Sequence, residues 1–409
     1  MIVSPPDVNT KAPHPLLAIT FQQERKRAVA QGVLESASST FLLLIAIQWY
    51  HAGIIAKSFL ASSANCGMIL SVVIVSWVAH RQWKLTQAAA GFAFVGGLAF
   101  LIASLFPSLL TLVIGGVFGL VAASCLIPLM TQLYQNHYPE SERGGLFSQT
   151  SRYRIFIAII FSDLAGRFLT GRLESHPLLL ACYALALFSM ASFLHKIPSD
   201  PLPLRESPHL LQSFRHLKED HFFRWTLYCW MILGFANLMM VALRVDYLAN
   251  PQHKMEMSPT QIALLVGVVP NIARLLMSGI WGWLFDHLDF YRLRMILNLS
   301  FALATVTFFT GDSMSGLLVG AIFYGIGIAG GDIAWSLWVT KFSPPKLVAE
   351  YMSIHLFMTG IRGILAPWTG FWIVAHYSIS TAAWIGVLMI LIATAMLFRE
   401  PKKKSPDDS

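Results

Sequence analysis

The sequence predicts an all-α polytopic membrane protein, with twelve transmembrane helices in two pseudo-symmetric six-helix bundles. Hydrophobic residues make up 56% of the chain and charged residues only 12%, which is about half the charged share of an ordinary soluble domain. A soluble protein of 409 residues could not bury so much apolar surface, whereas a bilayer solvates it. Apolar runs recur along the chain, and one longer polar loop divides them into two sets of six.

Twelve of these runs are candidates for membrane-spanning helices, each of which needs about 20 apolar residues to cross about 30 Å of hydrocarbon. They predict spans near residues 28–50, 53–79, 88–106, 108–135, 146–170, 177–195, 223–248, 259–285, 295–310, 315–340, 351–375 and 380–398. The segments around them predict an N-terminal arm at 1–26, a first bundle at 27–195, a linker at 196–222, a second bundle at 223–398 and a tail at 399–409. Ser207 and Pro208 precede apolar residues at helical spacing, which predicts an amphipathic surface helix in the linker.

The distribution of lysine and arginine predicts that both termini are cytoplasmic. With the N-terminus inside, twenty of the 29 basic residues fall in cytoplasmic segments and two, Arg172 and Lys254, in outer loops. Cytoplasmic loops carry such an excess, so we expect a multi-pass protein of a bacterial inner membrane or plasma membrane. The net charge of +8 comes from these loops and not from a basic patch with interleaved aromatic residues. We therefore expect a monomer surrounded by lipid, with no nucleic-acid partner.

A short motif follows the eighth predicted span. Residues 282–294 read GWLFDHLDFYRLR and resemble the glycine–aspartate–basic signature of the major facilitator superfamily, which lies after spans two and eight. The corresponding first-half segment, SWVAHR at 76–81, lacks the glycine and the aspartate. The resemblance implies a transporter that works by alternating access. It also implies a cytoplasmic gate, whose predicted members are Gly282, Asp286, Arg292, Arg294 and, on span five, Arg152.

The placement of charge agrees with the layout of that family. Its fold places spans three, six, nine and twelve at the periphery, facing lipid. In this chain those four predicted spans contain no Asp, Glu, Lys or Arg. Charged side chains avoid hydrocarbon because lipid cannot solvate them, so the charged spans are expected to face one another.

Two carboxyls at membrane depth are predicted to couple transport to protons. Glu35 lies eight residues beyond Arg27 and Asp332 nine residues before Lys341, so each is about 12–13 Å along its helix from the inner edge. An ionisable side chain at that depth is a functional candidate by default. The alternatives are an interhelical hydrogen bond for Glu35 and permanent neutralisation by an arginine for Asp332.

Polar residues near these carboxyls and near mid-membrane are predicted to bind the solute. Arg274 and Arg362 lie near the middle of spans eight and eleven, where bidentate hydrogen bonds would hold a carboxylate or phosphate. Their alternative role is to be counter-ions for Asp332. The others share a helical face with one of these charged residues. The full predicted set is Gln31, Asn271, Arg274, Trp335, Ser336 and Arg362.

The remaining in-span charges are interpreted as structural. Arg154 is expected to snorkel toward the interface, and Asp163 and Arg167, spaced i,i+4, are expected to pair. Three residues near the outer edge are expected to act as interfacial anchors, and they are Lys57, Arg244 and Asp246.

The predicted function is secondary active transport of a small organic solute, coupled to protons or another ion. The arginines favour an anionic or zwitterionic metabolite. A multidrug or cation exporter that uses Glu35, Asp332 and tryptophans is the alternative transporter, and a transporter-like sensor without flux is the alternative from another class. The sequence contains no P-loop, zinc-binding histidine pair or nucleophile elbow. Neither an enzymatic activity nor a metal or cofactor is therefore predicted.

Overall fold

The computed structural model describes residues 14–201, 214–311, 313–338 and 348–398. The predicted amphipathic helix of the linker lies mostly, and the predicted tail entirely, outside these ranges. Close to the second bundle, the linker forms one short helix at His216–Glu219.

In the described ranges, twelve long helices follow one another in the predicted order. They are α1 (His14–Ser36, continued by a π-helical turn at Ala37–Phe41 and by Leu42–Gln48), α2 (Ile54–His80), α3 (Leu85–Leu105), α4 (Leu109–His137), α5 (Glu140–Leu169), α6 (His176–His195), α7 (His221–Ala249), α8 (Pro259–Ile262, a π-helical turn at Ala263–Val268, then Val269–His287), α9 (Phe290–Phe309), α10 (Met314–Leu337), α11 (Val348–His376) and α12 (Ile379–Phe398).

Length and composition alone qualify most of these helices as membrane spans. Within the described ranges, nine are long and apolar enough to cross a membrane, or ten if α2, which is bent by 44°, is counted as one span. The other two are α5 and α11. Helix α5 carries several charged residues, among them Arg154, which pairs with Glu35 of α1.

The largest difference from the predicted boundaries is at the first helix. Expected to begin near residue 28, it begins at His14, so half of the predicted arm is helical. Glu24 is fully buried and pairs with Arg27 at 2.8 Å, and the Tyr134 hydroxyl of α4 bonds to both side chains. Because the two charges neutralise each other inside the bundle, the helix continues where hydropathy alone predicts a polar arm. Helix α9 likewise begins earlier, at Phe290, and includes two arginines of the motif.

The helices pack as two related bundles, which confirms the predicted pseudo-symmetry. In the first bundle α1 packs on α5 and α6, α2 on α4, and α3 on α4 and α6. In the second bundle α7 packs on α11 and α12, α8 on α10, and α9 on α10 and α12. Adding six to each helix number of the first set gives the second set.

The four helices predicted to lie at the periphery present apolar side chains outward. Leu98 of α3, Leu185 of α6, Leu299 of α9 and Leu388 of α12 are all exposed. The main contacts between the bundles are made instead by α1, α2 and α5 on one side and by α7, α8 and α11 on the other. Exposed leucine on the outer helices is what a lipid environment requires.

The two bundles are closed against each other at one end. We call the end with the α1–α2 and α7–α8 connections the distal end, and the end with both chain termini the proximal end. At the distal end the Thr170 and Thr260 hydroxyls are 2.7 Å apart, and a Cβ added to Gly166 would lie 2.6 Å from the Cβ of Ala263. Across the described ranges, every hydrogen bond and ion pair between the bundles is at this end or at mid-depth.

Candidate functional site

A network of ion pairs at mid-depth joins the two bundles. Arg274 of α8 donates from Nη1 to Glu35 Oε1 of α1 at 2.7 Å. The same guanidinium reaches Asp332 Oδ2 of α10 from Nε at 2.8 Å and from Nη2 at 2.7 Å. On the first bundle, Arg154 Nε of α5 lies 3.3 Å from Glu35 Oε2. The network therefore holds two carboxylates and two guanidinium groups, and one arginine connects the halves.

Interrupted helices position this network. Helix α8 passes through the π-helical turn Ala263–Val268 just before Arg274, and α1 enters its own π-helical turn two residues after Glu35. The two turns pack against each other. Asn271 fixes the α8 side, because its amide donates to the Gly267 carbonyl at 2.8 Å while its oxygen accepts from Arg274 Nη1 at 3.3 Å. Such π-helical turns are frequent at functional sites, and here they shape the backbone around the charges.

The two carboxylates of the network differ in exposure. The Asp332 side chain is 52% exposed, that of Glu35 25% and that of Arg274 only 9%. Asp332 is thus the more accessible of the two carboxylates, whereas Arg274 is buried. Chemically, each carboxylate can bind a proton and so lose its attraction to Arg274. An anion can also compete with the carboxylates for the hydrogen-bond donors of Arg274.

The predicted coupling residues are brought together, and the predicted solute-binding residues are divided. Arg274 and Asn271 join Glu35 and Asp332. Gln31 does not, because its oxygen accepts from Arg27 at 3.1 Å, within the buried first-bundle cluster.

Two further predicted solute-binding residues lie in the second bundle. Trp335 packs on His355, with ring centres 5.7 Å apart. Arg362 is not a counter-ion of Asp332, because it donates from Nη1 to the Trp230 carbonyl inside that bundle. The Ser336 side chain lies outside the described part of the structure.

The predicted gate is not assembled in this conformation. Arg152 and Asp286 are both exposed, and no ion pair joins these two described residues. Arg292 is exposed, and a Cβ on Gly282 would meet no atom within 4 Å.

Two arginines differ from their expected surroundings. Arg294 does not lie at the inner surface but is only 3% exposed, with its Cζ 3.6 Å from the centre of the Trp230 ring. Arg154, expected to snorkel, reaches Glu35 instead.

A second ion pair between the bundles was missed as a functional candidate. Lys57 Nζ of α2 lies 2.7 Å from Asp246 Oδ1 of α7, with side-chain exposures of 9% and 0%. His253 Nε2 lies 3.2 Å from the other carboxylate oxygen. The expectation that Lys57 and Asp246 are interfacial anchors is therefore wrong. The available signal was two opposite charges, one in each half, within four residues of the distal ends of their helices.

Two other in-span charges can now be assigned. Arg244 is buried, donates to the Leu265 carbonyl at 2.8 Å and lies over the Tyr324 ring at 4.1 Å, so it is not an interfacial anchor. Asp163 and Arg167 pair at 2.8 Å on an exposed face of α5, as their spacing predicts.

Comparison with known proteins agrees with this architecture. Residues 230–409 match the sequence profile described as Major Facilitator Superfamily. No curated protein matches the chain.

Among solved structures, the chain is similar to the nucleoside transporter NupG, with a TM-score of 0.71, 15% identity and coverage of 93% of this chain and 98% of that one. It is similar to a D-xylose-proton symporter, with a TM-score of 0.68, 17% identity and coverage of 95% of this chain and 97% of that one. It is also similar to a bacterial homolog of the human lysosomal transporter Spinster in an inward-facing and occupied conformation. The TM-score is 0.67 and the identity 13%, with coverage of 97% of this chain and 100% of that one. At these identities the structural likeness shows the fold alone.

Proposed function

We propose that this chain, whose residues 230–409 match the Major Facilitator Superfamily profile and whose fold is similar to that of NupG, is a proton-coupled secondary transporter of a small organic solute. Transporters built from two repeated bundles bind their solute near mid-membrane and expose it to each side in turn by rocking one bundle against the other. The observation that carries the proposal is the position of Arg274, which is held at once by Glu35 of the opposite bundle and by Asp332 of its own.

Glu35 and Asp332 are the proposed proton carriers. A proton on Glu35 would cancel the charge that holds Arg274 across the interface, and would weaken the 3.3 Å contact with Arg154. The two bundles would then be free to reorient about mid-depth. Loss of the proton on the other side of the membrane would restore the ion pair and the conformation described above. The D-xylose-proton symporter of the same fold supports this coupling by analogy only.

The conformation fits one step of that cycle. With both termini in the cytoplasm, as the basic loops predict, the closed distal end faces the outside. Contacts such as Thr170 with Thr260 then block the outer entrance, and we infer that the half-exposed Asp332 is reached from the cytoplasm. The structure is, on this proposal, the inward-facing state.

The charges of the network favour an anionic or zwitterionic solute. Glu35 and Asp332 balance Arg154 and Arg274 when all four are ionised. Each proton that a carboxylate takes up leaves the site one unit more positive and frees donors of Arg274. A carboxylate or phosphate of the solute can then replace the lost acceptor, with the charge-assisted geometry that arginine provides. Proton and anion therefore bind together, as symport requires. A cationic solute would need free carboxylates, and Arg274 already occupies both.

Proton movement in reconstituted liposomes tests the proposal. The purified chain would be sealed in vesicles with an internal pH dye and challenged with organic acids, phosphorylated sugars and amino acids. Wild-type protein should move protons only when its solute is present. Glu35→Gln and Asp332→Asn should each lower solute-driven proton movement at least about tenfold, because neither amide carries a proton. Asp163→Asn, in an exposed pair of α5, is the matched control and should behave like wild type.

Other outcomes would reject the proposal in distinct ways. Normal proton movement in both amide variants would make the two carboxyls structural. Uptake driven by organic cations in place of anions would support the exporter alternative. Solute binding with no flux in any vesicle would support a sensor.

A further inference from the structure

Two buried arginines of the second bundle have no carboxylate partner. Arg294 of α9 and Arg362 of α11 are 3% and 5% exposed. In the described part of the chain, no Asp or Glu oxygen lies within 4.0 Å of either guanidinium. Among the described residues, Arg294 stacks on Trp230 at 3.6 Å, and Arg362 donates from Nη1 to the Trp230 carbonyl. Like charges without a counter-ion are thus gathered around one indole.

Further polar groups on Trp230 and on the facing side of α11 are buried and have no hydrogen-bond partner among the described residues. They are Arg362 Nε, Trp230 Nε1, the Thr359 hydroxyl and both ring nitrogens of His355. His355 is fully buried, and its ring centre lies 5.4 Å from that of Trp230. His355, Thr359 and Arg362 are spaced i, i+4 and i+7, so they lie on one face of α11. We call Trp230, Arg294, His355, Thr359 and Arg362 the Trp230 cluster.

The backbone of α7 makes room for this arrangement. The Arg362 guanidinium packs directly on Gly234, where an added Cβ would overlap Nη1 and Cζ. Because Gly234 has no side chain, the Arg362 guanidinium can pack against α7 one turn beyond Trp230. This contact holds the guanidinium beside the Trp230 indole. Trp335 of α10 packs on His355, with ring centres 5.7 Å apart, and Asp332 lies three residues earlier on the same helix.

The buried donors and positive charges of the cluster would be stabilised by a negatively charged hydrogen-bond acceptor. Polar groups inside proteins are almost always hydrogen-bonded, and an uncompensated charge at membrane depth is unfavourable. An oxyanion offers negative charge and several acceptor oxygens, and guanidinium groups bind it bidentately. We propose that the Trp230 cluster is a binding site for an oxyanion of the phosphate or carboxylate class. The site is distinct from the central ion pairs and does not require that the proposed function be correct.

Binding of orthophosphate to the purified full-length chain in detergent tests this assignment. Equilibrium dialysis with labelled orthophosphate should give about one bound ion per chain, and affinity should fall as salt rises. Arg294→Met and Arg362→Met should each weaken binding at least about tenfold. Gly234→Ala should weaken it as well, because the methyl group displaces Arg362. Gly91→Ala, whose added Cβ meets nothing within 4 Å, should not.

Arg244→Met is the matched control for the loss of a buried arginine. Arg244 belongs to the same bundle and also lacks a carboxylate partner among the described residues, but it contacts Leu265 and Tyr324 instead of Trp230. Its variant should bind orthophosphate like wild type. If Arg244→Met loses as much affinity as Arg294→Met, the binding is a general charge effect and the proposed site is wrong.

Melting temperature separates a ligand site from a structural role. In anion-free buffer Arg294→Met should melt no lower than wild type, because the substitution removes an uncompensated charge. Orthophosphate should raise the melting temperature of wild type and of Arg244→Met but not that of Arg294→Met. A lower melting temperature without anion, with binding intact, would make Arg294 structural. Should orthophosphate, sulfate and acetate all fail to bind wild type, the proposal is overturned.

The source of the oxyanion is decided by competition in liposomes. If the anion is the acidic group of the solute, orthophosphate should inhibit solute uptake at concentrations that fill the site. If it is a free ion, orthophosphate should leave uptake unchanged or raise it. Binding with no uptake at all would reject the proposed transport function while keeping the oxyanion site.

Discussion

The first and second bundles share an arrangement of helices but treat buried positive charge differently. In the first bundle Arg27 is paired with Glu24 at 2.8 Å, and the ammonium of Lys57 crosses to Asp246 of the second bundle. In the second bundle Arg274 has two carboxylates. Three others have none in the described ranges, namely Arg244, Arg294 and Arg362. Repetition of the fold therefore does not repeat its electrostatics, and the unneutralised charge is concentrated in one half.

That contrast suggests a division of labour. The buried charges of the first bundle are satisfied within the protein, which suits a rigid body. Several buried arginines of the second bundle keep hydrogen-bond donors that, on our proposal, an oxyanion accepts. Two of these first-bundle charges, Glu35 and Lys57, have partners across the interface, which are Arg274 and Asp246.

The largest expected effect comes from breaking the pair in the first bundle. Glu24→Gln would leave Arg27 buried without a counter-ion, and losing one partner of a buried pair costs roughly 3–5 kcal/mol. Thermal unfolding in detergent should therefore show a large drop in melting temperature. Arg294→Met in the second bundle should show none in anion-free buffer, since no carboxylate depends on it. An equal drop in both variants would mean that the two bundles do not differ in the way proposed here. Asp163→Asn provides the exposed-pair control.

A smaller effect is expected at the distal ion pair between the bundles. Lys57→Met, Asp246→Leu and the double variant form a mutant cycle, and contacting charges usually show a coupling of about 0.5–3 kcal/mol. Spin labels on Arg172 and Gln252, both exposed at the distal end, would measure the separation of the bundles there. Each single variant should increase the population with a wide separation. Coupling near zero in the cycle would show that the distal end is closed by packing alone.

Sequence reasoning predicted the layout better than the partnerships. Periodic apolar runs determine where helices can lie in lipid, so the order of the twelve helices and the peripheral position of α3, α6, α9 and α12 were predictable. The start of α1 at His14 was not. Hydropathy counts Glu24 and Arg27 as polar, whereas their mutual contact makes them an acceptable part of a buried helix.

The candidate site was predictable in its depth and not in its pairing. Counting residues placed Glu35 and Asp332 at similar depth in opposite halves, and the structure brings both to Arg274. Counting could not show that Arg362 points elsewhere, toward Trp230, because helix rotation is fixed by packing such as that of Gly234. The Lys57–Asp246 pair was misread for the same reason.

The last and smallest expected effect comes from two lysine variants, which keep charge and change only geometry. Arg274 uses three nitrogens to reach two carboxylates, whereas a lysine has one nitrogen and no planar fork. Arg274→Lys should therefore weaken solute affinity about tenfold, or about 1.4 kcal/mol, and should also disturb the number of protons moved per solute. Arg362→Lys should weaken oxyanion binding by a similar factor but leave that proton count unchanged, because Arg362 contacts neither carboxylate. Ligand affinity, proton stoichiometry and melting temperature, measured side by side for both variants, separate the two roles. If affinity is unchanged in both, neither arginine recognises an anion. If proton stoichiometry changes in both, the Trp230 cluster and the central network act as one site. The unpaired arginines of the second bundle would then belong to the coupling site and not to a separate anion site.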